Sequence, residues 1–246
     1  MSCVIITGAA GGVGRAMVDT FVRAGYVVVA VDKEPRPVEC RAAHYFVCDL
    51  ARTVSDEACA SSIFTELKLV LAGQPLAALI NNAAIQILGG TESLDRAAWQ
   101  TTLNVNLLAP FFWAQAFLPE LEAGRGSILN ISSIHARLTK AGFTAYATSK
   151  AALSGLTRAM AVDLGPRVSV NAIEPAAIGT DMLEAGFANN PAGLEALKAF
   201  HPAGCIGTPE QLADMALFVV SGSRPFMSGT VIQLDGAISS RLHDPC

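Results

Sequence analysis

The sequence predicts an α/β fold: a doubly wound, seven-stranded, largely parallel sheet flanked by helices on both faces. Three observations predict it. Short runs of β-branched residues alternate with longer helical patterns along the whole chain, the arrangement of successive βαβ units. These runs are apolar throughout instead of alternating, as strands buried on both faces are. Candidate polar residues then fall repeatedly just past the C-terminal ends of the runs, the edge where open α/β sheets bind ligands.

Cys3-Val-Ile-Ile-Thr7 is the first strand. It runs into Gly8-Ala-Ala-Gly11-Gly12-Val13-Gly14, and a helical run from Arg15 to Ala24 ends at Gly25. A second buried run, Tyr26 to Val31, closes with Asp32. Strand, glycine-rich turn, helix, strand and acid make one βαβ unit. Its glycines let the backbone turn tightly and approach a pyrophosphate, and the helix N-terminus offers free N–H groups and a favourable dipole. The other reading is a turn that only packs helix on strand; the full βαβ context favours dinucleotide binding. An acid at the end of the second strand accepts hydrogen bonds from the adenosine ribose and repels a 2′-phosphate, so Asp32 favours NAD over NADP. Arg15 and Lys33 are the cations that could serve a 2′-phosphate instead.

Residues 33–43 are a polar, proline-broken connection. His44 to Cys48 is the third strand, followed by Asp49-Leu50; Asp49 either faces a ligand or caps the next helix. A helix over 53–72 ends at Gly73-Gln-Pro75. The fourth strand, Ala77 to Ile80, opens into Asn81-Asn82-Ala83-Ala84, where small residues let a flat ring approach the backbone; a self-satisfied Asn turn is the alternative. Residues 92–122 carry a long helical pattern interrupted by Pro110 and Pro119. Asn104 and Asn106 lie in its apolar middle, where a buried Asn marks a hydrogen-bonding task. The fifth strand, Gly126 to Ile131, ends in Ser132-Ser133. A loop leads to an Ala-rich helix, Tyr146 to Leu164. The sixth strand, Val168 to Ile173, ends at Glu174-Pro175. Residues 176–206 are Gly- and Pro-punctuated with weak helical pieces. Thr208-Pro-Glu-Gln starts a helix with a capping box, running to about Val220, and Thr230 to Leu234 is the seventh strand. With no linker or internal repeat, residues 1–246 read as a single domain, with 176–206 as a substrate loop or lid.

Composition excludes other classes. Apolar residues make up 52% of the 246 and charged ones 15%, with a mean hydropathy of +0.42. No apolar run reaches the roughly 20 residues that span a bilayer, and the N-terminus lacks a signal-peptide pattern. A net charge of −4 without a basic cluster argues against a nucleic-acid surface. Six cysteines, Cys3, Cys40, Cys48, Cys59, Cys205 and Cys246, form no Cys-x-x-Cys pair and have no His partner at metal spacing. The expectation is a reduced, cytoplasmic protein without a metal, with Cys3 and Cys48 as buried thiols. The low charge also suggests oligomer interfaces.

Tyr146 and Lys150 stand four apart on a helix, hence on one face. A nearby cation favours phenolate and lowers a tyrosine pKa from roughly 10, which suits general acid/base work near neutral pH. Alone the spacing is a common accident; its weight comes from the site that the rest of the chain builds around it.

Together these residues resemble the short-chain dehydrogenase/reductase family, in its compact Rossmann-like single-domain form, over essentially the whole chain. Thr7-Gly8-x-x-x-Gly12-Val13-Gly14 matches the family's cofactor turn. Asn81-Asn82-Ala83-Ala84 matches its Asn-Asn-Ala-Gly element, with Ala84 for Gly. Asn106, Ser133, Tyr146 and Lys150 match its catalytic set, and Pro175-Ala176-x-x-x-Thr180 its Pro-Gly-x-x-x-Thr, with Ala176 for Gly. The resemblance implies that Tyr146 is the general acid/base, that Lys150 lowers its pKa and holds the nicotinamide ribose, and that Ser133 hydrogen-bonds the substrate oxygen. It implies that Asn106 positions a water linked to Lys150, that Asp49 contacts adenine, Asp32 the ribose and Thr180 the carboxamide. Gly8, Gly11, Gly12, Val13, Gly14, Leu50, Asn82, Ala83, Ala84, Pro175, Ala176 and Ile178 complete the implied cofactor contacts. If Ala84 or Ala176 sits at positive φ, the methyl costs roughly 1 kcal/mol.

The expected activity is hydride transfer between NAD and a small secondary alcohol or ketone, in a homotetramer or homodimer. The apolar run Leu107-Leu-Ala-Pro-Phe-Phe-Trp113 suits either an interface or a core. An NADPH-linked 3-oxoacyl reductase is the alternative enzyme, disfavoured by Asp32; a catalytically silent NAD-sensing protein is disfavoured by the intact Ser133, Tyr146 and Lys150. Residues 85–90, 134–145 and 176–206 should choose the substrate. Glu174 either pairs locally or meets a polar substrate, and His135, by the expected substrate mouth, is either a plain surface residue or a substrate contact.

Overall fold

The computed structural model describes residues 2–221 and 226–242. Its strands are β1 (Cys3–Thr7), β2 (Val27–Asp32), β3 (His44–Val47), β4 (Leu76–Asn81), β5 (Ser127–Ile131), β6 (Ser169–Pro175) and β7 (Val231–Leu234). They form one sheet in the order β3-β2-β1-β4-β5-β6-β7, and every adjacent pair is parallel. The chain builds outward from β1 to β3, then returns to place β4 on the other side of β1. That reversal is the topological switch point, where folds of this class form their ligand crevice at the C-terminal edge of the strands.

The helices are α1 (Gly12–Arg23), α2 (Leu50–Ser55), α3 (Glu57–Leu71), α4 (Arg96–Leu103), α5 (Ala109–Ala116), α6 (Leu118–Gly124), α7 (Thr144–Leu164), α8 (Asp181–Phe187), α9 (Pro191–Phe200) and α10 (Pro209–Val220). Strand side chains alternate between faces, so β1 sends Ile5 into one core and Val4 and Ile6 into the other. On the first face Ile5, Val29, Leu79 and Ile128 meet Leu67 of α3, Trp113 of α5 and Met160 of α7. On the second, Val28, Ile80 and Ile173 meet Met17 and Phe21 of α1 and Leu212 of α10. Burial on both faces is why the strand runs carry no polar alternation; β1 and β5 are buried at every position.

Helix boundaries depart from the sequence expectation in three places. The 53–72 helix is two helices, because Asp56 leaves helical backbone (φ −135°, ψ 101°) and its side chain accepts from Cys59 N, capping α3. The 92–122 pattern starts only at Arg96, after the Asp95 cap, and contains a π-helical turn at Asn104–Leu108. There Ala109 N–H reaches back five residues to Asn104 O; Pro110, which has no N–H, leaves the regular ladder incomplete just beyond. The 176–206 stretch holds two definite helices, α8 and α9, capped by Thr180 and Asn190.

Within the run from Leu107 to Trp113 the roles divide. Trp113 is fully buried and donates Nε1–H to Thr53 Oγ1 at 3.1 Å, whereas Phe111 and Phe112 are over a third exposed. No helix among the described residues is long and apolar enough to cross a membrane. Among those residues no acidic, His and Cys cluster suits a metal, and Cys3, Cys40, Cys48, Cys59 and Cys205 are free thiols. Cys3 and Cys48 are buried as expected; Cys246 lies outside the described residues.

Candidate active site

The crevice at the switch point is built first from backbone. Gly8 follows β1 with φ +68°, and a Cβ there would lie 2.7 Å from Ala83 Cα. Only glycine lets the turn after β1 touch the turn after β4. Thr7 and Asn82 lock the two together. Thr7 Oγ1 accepts from Asn82 N at 3.1 Å and Ala83 N at 3.2 Å, and Asn82 Nδ2 donates to the Thr7 and Gly8 carbonyls at 3.0 Å each. Gly14 packs α1 onto the same turn, since a Cβ would meet Gly8 O at 2.0 Å. Gly11 has open space instead, its nearest contact being Gly8 O at 3.8 Å.

Six helices, α2, α3, α4, α8, α9 and α10, receive a side-chain cap at their N-termini, whereas α1, with Gly11 at its cap position, has none, as is true of α5, α6 and α7. The first-turn amides of Gly12, Val13 and Gly14 therefore face the crevice edge without a side-chain acceptor, which suits a pyrophosphate. Asp32, buried at the end of β2, accepts from Ala10 N at 2.8 Å and Glu34 N at 3.0 Å. Its carboxylate is thereby fixed beside the glycine turn. Asp49 caps α2 by accepting from Ala51 N at 2.9 Å, so the capping use is realised; Leu50 behind it is buried. Across the crevice, Thr180 Cγ2 would lie 3.2 Å from a Cβ on Gly12, while Thr180 Oγ1 caps α8. Pro175 ends β6, Ala176 N bonds Leu234 O, and Ile178 bridges to Gly207. Neither Ala84 nor Ala176 is among the positive-φ residues, which outside glycine are Ala72, Arg125 and Ala237 among the described residues, so neither methyl strains the backbone. The glycine cradle, the uncapped helix and the placed acid fit a dinucleotide.

The second half of the crevice is built from side chains. Ser133 follows β5 in extended backbone and starts a short turn, its Oγ accepting from His135 N. α7 begins at Thr144, which puts Tyr146 in its first turn. Burial pushes the Tyr146 phenol above its ordinary value, and a hydrogen bond with Ser133 pulls it back. Lys150 is 2% exposed, donates Nζ–H to Ile131 O at 2.7 Å and lies 5.7 Å from the Tyr146 ring centroid. Burial lowers its pKa to about 7. The expected lowering of Tyr146 by Lys150 is not the direction found: burial raises the phenol, and the contact that offsets this is Ser133.

Asn106 sits in the π turn, fully buried. Its Oδ1 accepts from Ile85 N at 2.9 Å, and its Nδ2 donates to Ile85 O at 2.9 Å and Ser149 Oγ at 3.0 Å. Ser149 in turn donates to Tyr146 O at 2.7 Å. These contacts occupy the amide, so its observed task is to brace the loop after β4 against α7. His135 stacks on Phe143 at 4.4 Å and meets the Tyr146 ring edge-on at 5.7 Å; burial lowers its pKa. Glu174 pairs locally: Arg137 Nε donates to Oε2 at 2.8 Å and Ser154 Oγ to Oε1 at 2.8 Å. It lines a cavity of about 300 Å³ together with Arg137, Ser154, Arg158 and Gln233.

The model of the family described as short chain dehydrogenase matches residues 2–191. The chain belongs to the short-chain dehydrogenase family. It is 34% identical to protein FixR of Bradyrhizobium diazoefficiens, over 94% of this chain and 84% of that one. It is 30% identical to the D-threitol dehydrogenase of Mycolicibacterium smegmatis, over 94% of this chain and 90% of the other. The ligand-free structure of Thermoplasma acidophilum aldohexose dehydrogenase superposes with a TM-score of 0.88 at 30% identity, covering 100% of this chain and 96% of that one.

As a short-chain dehydrogenase, the chain is an oxidoreductase of a family that binds nicotinamide cofactors. Its structure adds site residues that sequence reasoning passed over. Thr7, quoted there only within a motif, is the pin between the two turns. Asn81, at the candidate edge in the sequence, turns inward: its Nδ2 donates to Asn130 Oδ1 at 2.8 Å, and Asn130 Nδ2 donates to Thr157 Oγ1 at 2.9 Å, tying β4 and β5 to α7. Arg137 and Ser154 carried no signal, because their partner Glu174 is distant in sequence and no spacing rule links them.

Proposed function

We propose that this chain is an NAD-linked dehydrogenase or reductase of a small secondary alcohol, polyol or cyclic hydroxy compound and the corresponding ketone. One observation carries the reading: the Ser133–Tyr146 pair, with Lys150 buried one turn behind, shares a crevice with a side-chain-free helix N-terminus and a fixed carboxylate. When bound, the nicotinamide supplies hydride exchange with the carbon bearing the oxygen. Gly8, Gly11, Gly12, Val13 and Gly14 hold the pyrophosphate, Asp32 the adenosine ribose, and Asp49 and Leu50 border the adenine. Asn82, Ala83, Ala84, Pro175, Ala176, Ile178 and Thr180 shape the rest of the cofactor cleft. Ser133 Oγ fixes the substrate oxygen. Tyr146 Oη takes the hydroxyl proton in oxidation and returns it in reduction. Lys150 would hold the nicotinamide ribose and buffer the proton of Tyr146. The polyol and sugar substrates named for the relatives support the substrate class. Relatives of this fold occur with NADH and with NADP, so the preference for NAD rests on Asp32. The flanking cations are engaged elsewhere: Arg15 reaches Asp181 and Ala10 O, and Lys33 reaches Glu34.

The same reading makes 176–206 a lid, since α8 and α9 follow the cleft residue Thr180 directly. It makes the chain a cytoplasmic homotetramer or homodimer, supported by the free thiols and by exposed Phe111, Phe112 and Val162 on α5 and α7. The test is a screen of polyols, cyclic alcohols and ketones followed by NADH absorbance. Turnover with NAD is expected, abolished in Tyr146→Phe while NADH binding persists. Full activity in that variant overturns the proton-transfer role, and tighter binding of NADP than NAD overturns the role of Asp32.

A further inference from the structure

The carboxylate of Glu174 is buried, 2% exposed, at the end of β6, and the mechanism above makes no use of it. Both its oxygens are taken. Oε2 receives Arg137 Nε at 2.8 Å and Oε1 receives Ser154 Oγ at 2.8 Å. From these two partners, two paths lead into the catalytic residues.

The first path runs through α7. Ser154 lies one turn beyond Lys150, and its Oγ is 2.9 Å from Ser132 Oγ. Ser132 Oγ in turn donates to the Lys150 carbonyl at 3.0 Å. A carboxylate only accepts, so the single Ser154 proton points to Glu174, and the single Ser132 proton is shared between Ser154 Oγ and the Lys150 carbonyl. The acid thus fixes the direction of the Ser154 hydroxyl and makes Ser132 the donor between the two serines. The second path runs through the turn after β5. Arg137 closes the segment that Ser133 opens: Ala136 N bonds Ser133 O and Arg137 N bonds Ile134 O. The Arg137 guanidinium is held from two strands. Beyond Glu174 on β6, its terminal nitrogens donate to the Gln233 side-chain oxygen of β7 at 2.7 and 3.0 Å, once that amide is oriented by its neighbours.

We propose that Glu174 is a positioning residue of the catalytic centre, holding Ser133 through Arg137 and Lys150 through Ser154 and Ser132. The proposal rests on the catalytic reading of Ser133, Tyr146 and Lys150. A buried carboxylate has a large cost in isolation and is retained only where it is paired and hydrogen-bonded. Here the pairing reaches both sides of the reacting position, because one acid sits where the ends of β5 and β6 converge on α7. It faces the cavity shared with Arg158 and Gln233, and neither Ser133 nor Tyr146 lines that cavity, so it acts through others instead of touching substrate.

The test reads Tyr146 directly in the chain without substrate. Its 13Cζ-tyrosine resonance, assigned with Tyr146→Phe, is titrated in alkaline buffer for the parent, Glu174→Leu, Glu174→Gln and Arg137→Met. Loosening Ser133 weakens the hydrogen bond that lowers the phenol pKa. Glu174→Leu and Arg137→Met are therefore expected to move the Tyr146 titration upward by about half a pH unit or more, a shift of the size that one lost hydrogen bond produces. Glu174→Gln can still accept from Arg137 with its oxygen and donate to Ser154 with its NH2, so it should recover most of the shift. With the alcohol found in the screen, Glu174→Leu should lose at least about tenfold in kcat, with a clearly smaller loss in NADH affinity. Superimposable titrations in the parent and in both Glu174→Leu and Arg137→Met overturn the proposal. So does a loss of NADH binding in step with kcat in every variant, which marks a general structural role. If Glu174→Leu does not fold, Arg137→Met and Glu174→Gln carry the same comparison. A chain without turnover would sink the enzymatic reading and leave the titration readable.

Discussion

The two halves of the crevice are made of different materials. Around β1, β2 and β4 the site is backbone: glycines, small residues and free amides, with Asp32 and Thr7 as the main polar side chains. Around β5, β6 and α7 it is a buried network of Ser132, Ser133, Tyr146, Lys150, Ser154 and Glu174. A ligand that every family member shares can be held by peptide groups, which no substitution alters except by adding bulk. A proton must be handled by side chains whose pKa values depend on their surroundings. The first half should therefore fail by steric insertion, and the second by loss of electrostatic order with the fold intact.

The sharpest contrast is between two glycines three residues apart. Gly14→Ala puts a methyl 2.0 Å from Gly8 O, so α1 must shift. A cost of about 3 kcal/mol, or roughly 6–12 °C in melting temperature for a chain of this size, is expected by thermal denaturation. Gly11→Ala has room in the protein itself and should melt like the parent, yet lose NADH affinity in a fluorescence titration. Equal melting losses in the two variants would break the distinction between packing and ligand approach.

Within the second half, Ser133→Ala should reduce kcat about 100-fold with a near-parental melting temperature. It should also move the alkaline limb of the pH–rate profile upward, because Ser133 supplies the contact that lowers Tyr146. Since burial raises that phenol, the parent enzyme should oxidise alcohols faster as pH rises above neutrality. Ketone reduction, which needs the protonated phenol, should fall over the same range.

Lys150→Met tests the same half by stability. The folded pKa is about 7, below an unfolded value near 10.4. The cost of burying the charge is thus fully present below pH 7 and lifts as pH rises towards about 10. The melting temperature of the parent relative to Lys150→Met should rise across that window, by roughly 10 °C. A pH-independent difference would mean that Lys150 keeps its charge in the folded chain. The smallest effect is Ala84→Gly, which should give no stabilisation and a loss of about 0.5–1 kcal/mol at most, because Ala84 is not at positive φ.

The same contrast explains what could be read from the sequence. The strands were visible because burial on both faces leaves continuous apolar runs, and the nucleotide half because glycine spacing and a strand-end acid are local signals. Tyr146 and Lys150 share a helix and were visible for that reason. The breaks at Asp56 and Asn104–Leu108 were not, since a cap and an added residue in a helix leave no mark on apolar periodicity. Glu174 was visible as an odd acid, but its partners Arg137 and Ser154 meet it only through the fold. The pKa of Tyr146 also depends on its own burial and on Ser133, neither of which helix spacing reports.

The π turn at Asn104–Leu108 has a consequence for the helices on either side of it. Each residue advances a regular helix by about 100°, so the extra residue acts as a phase shift between α4 and α5. It lets Asn106 point at Ile85 and Ser149 while Trp113, two turns later, still points at Thr53. Removing one residue from the turn would leave a more regular helix with its two faces out of step: either the site or the core would be aimed correctly, but not both.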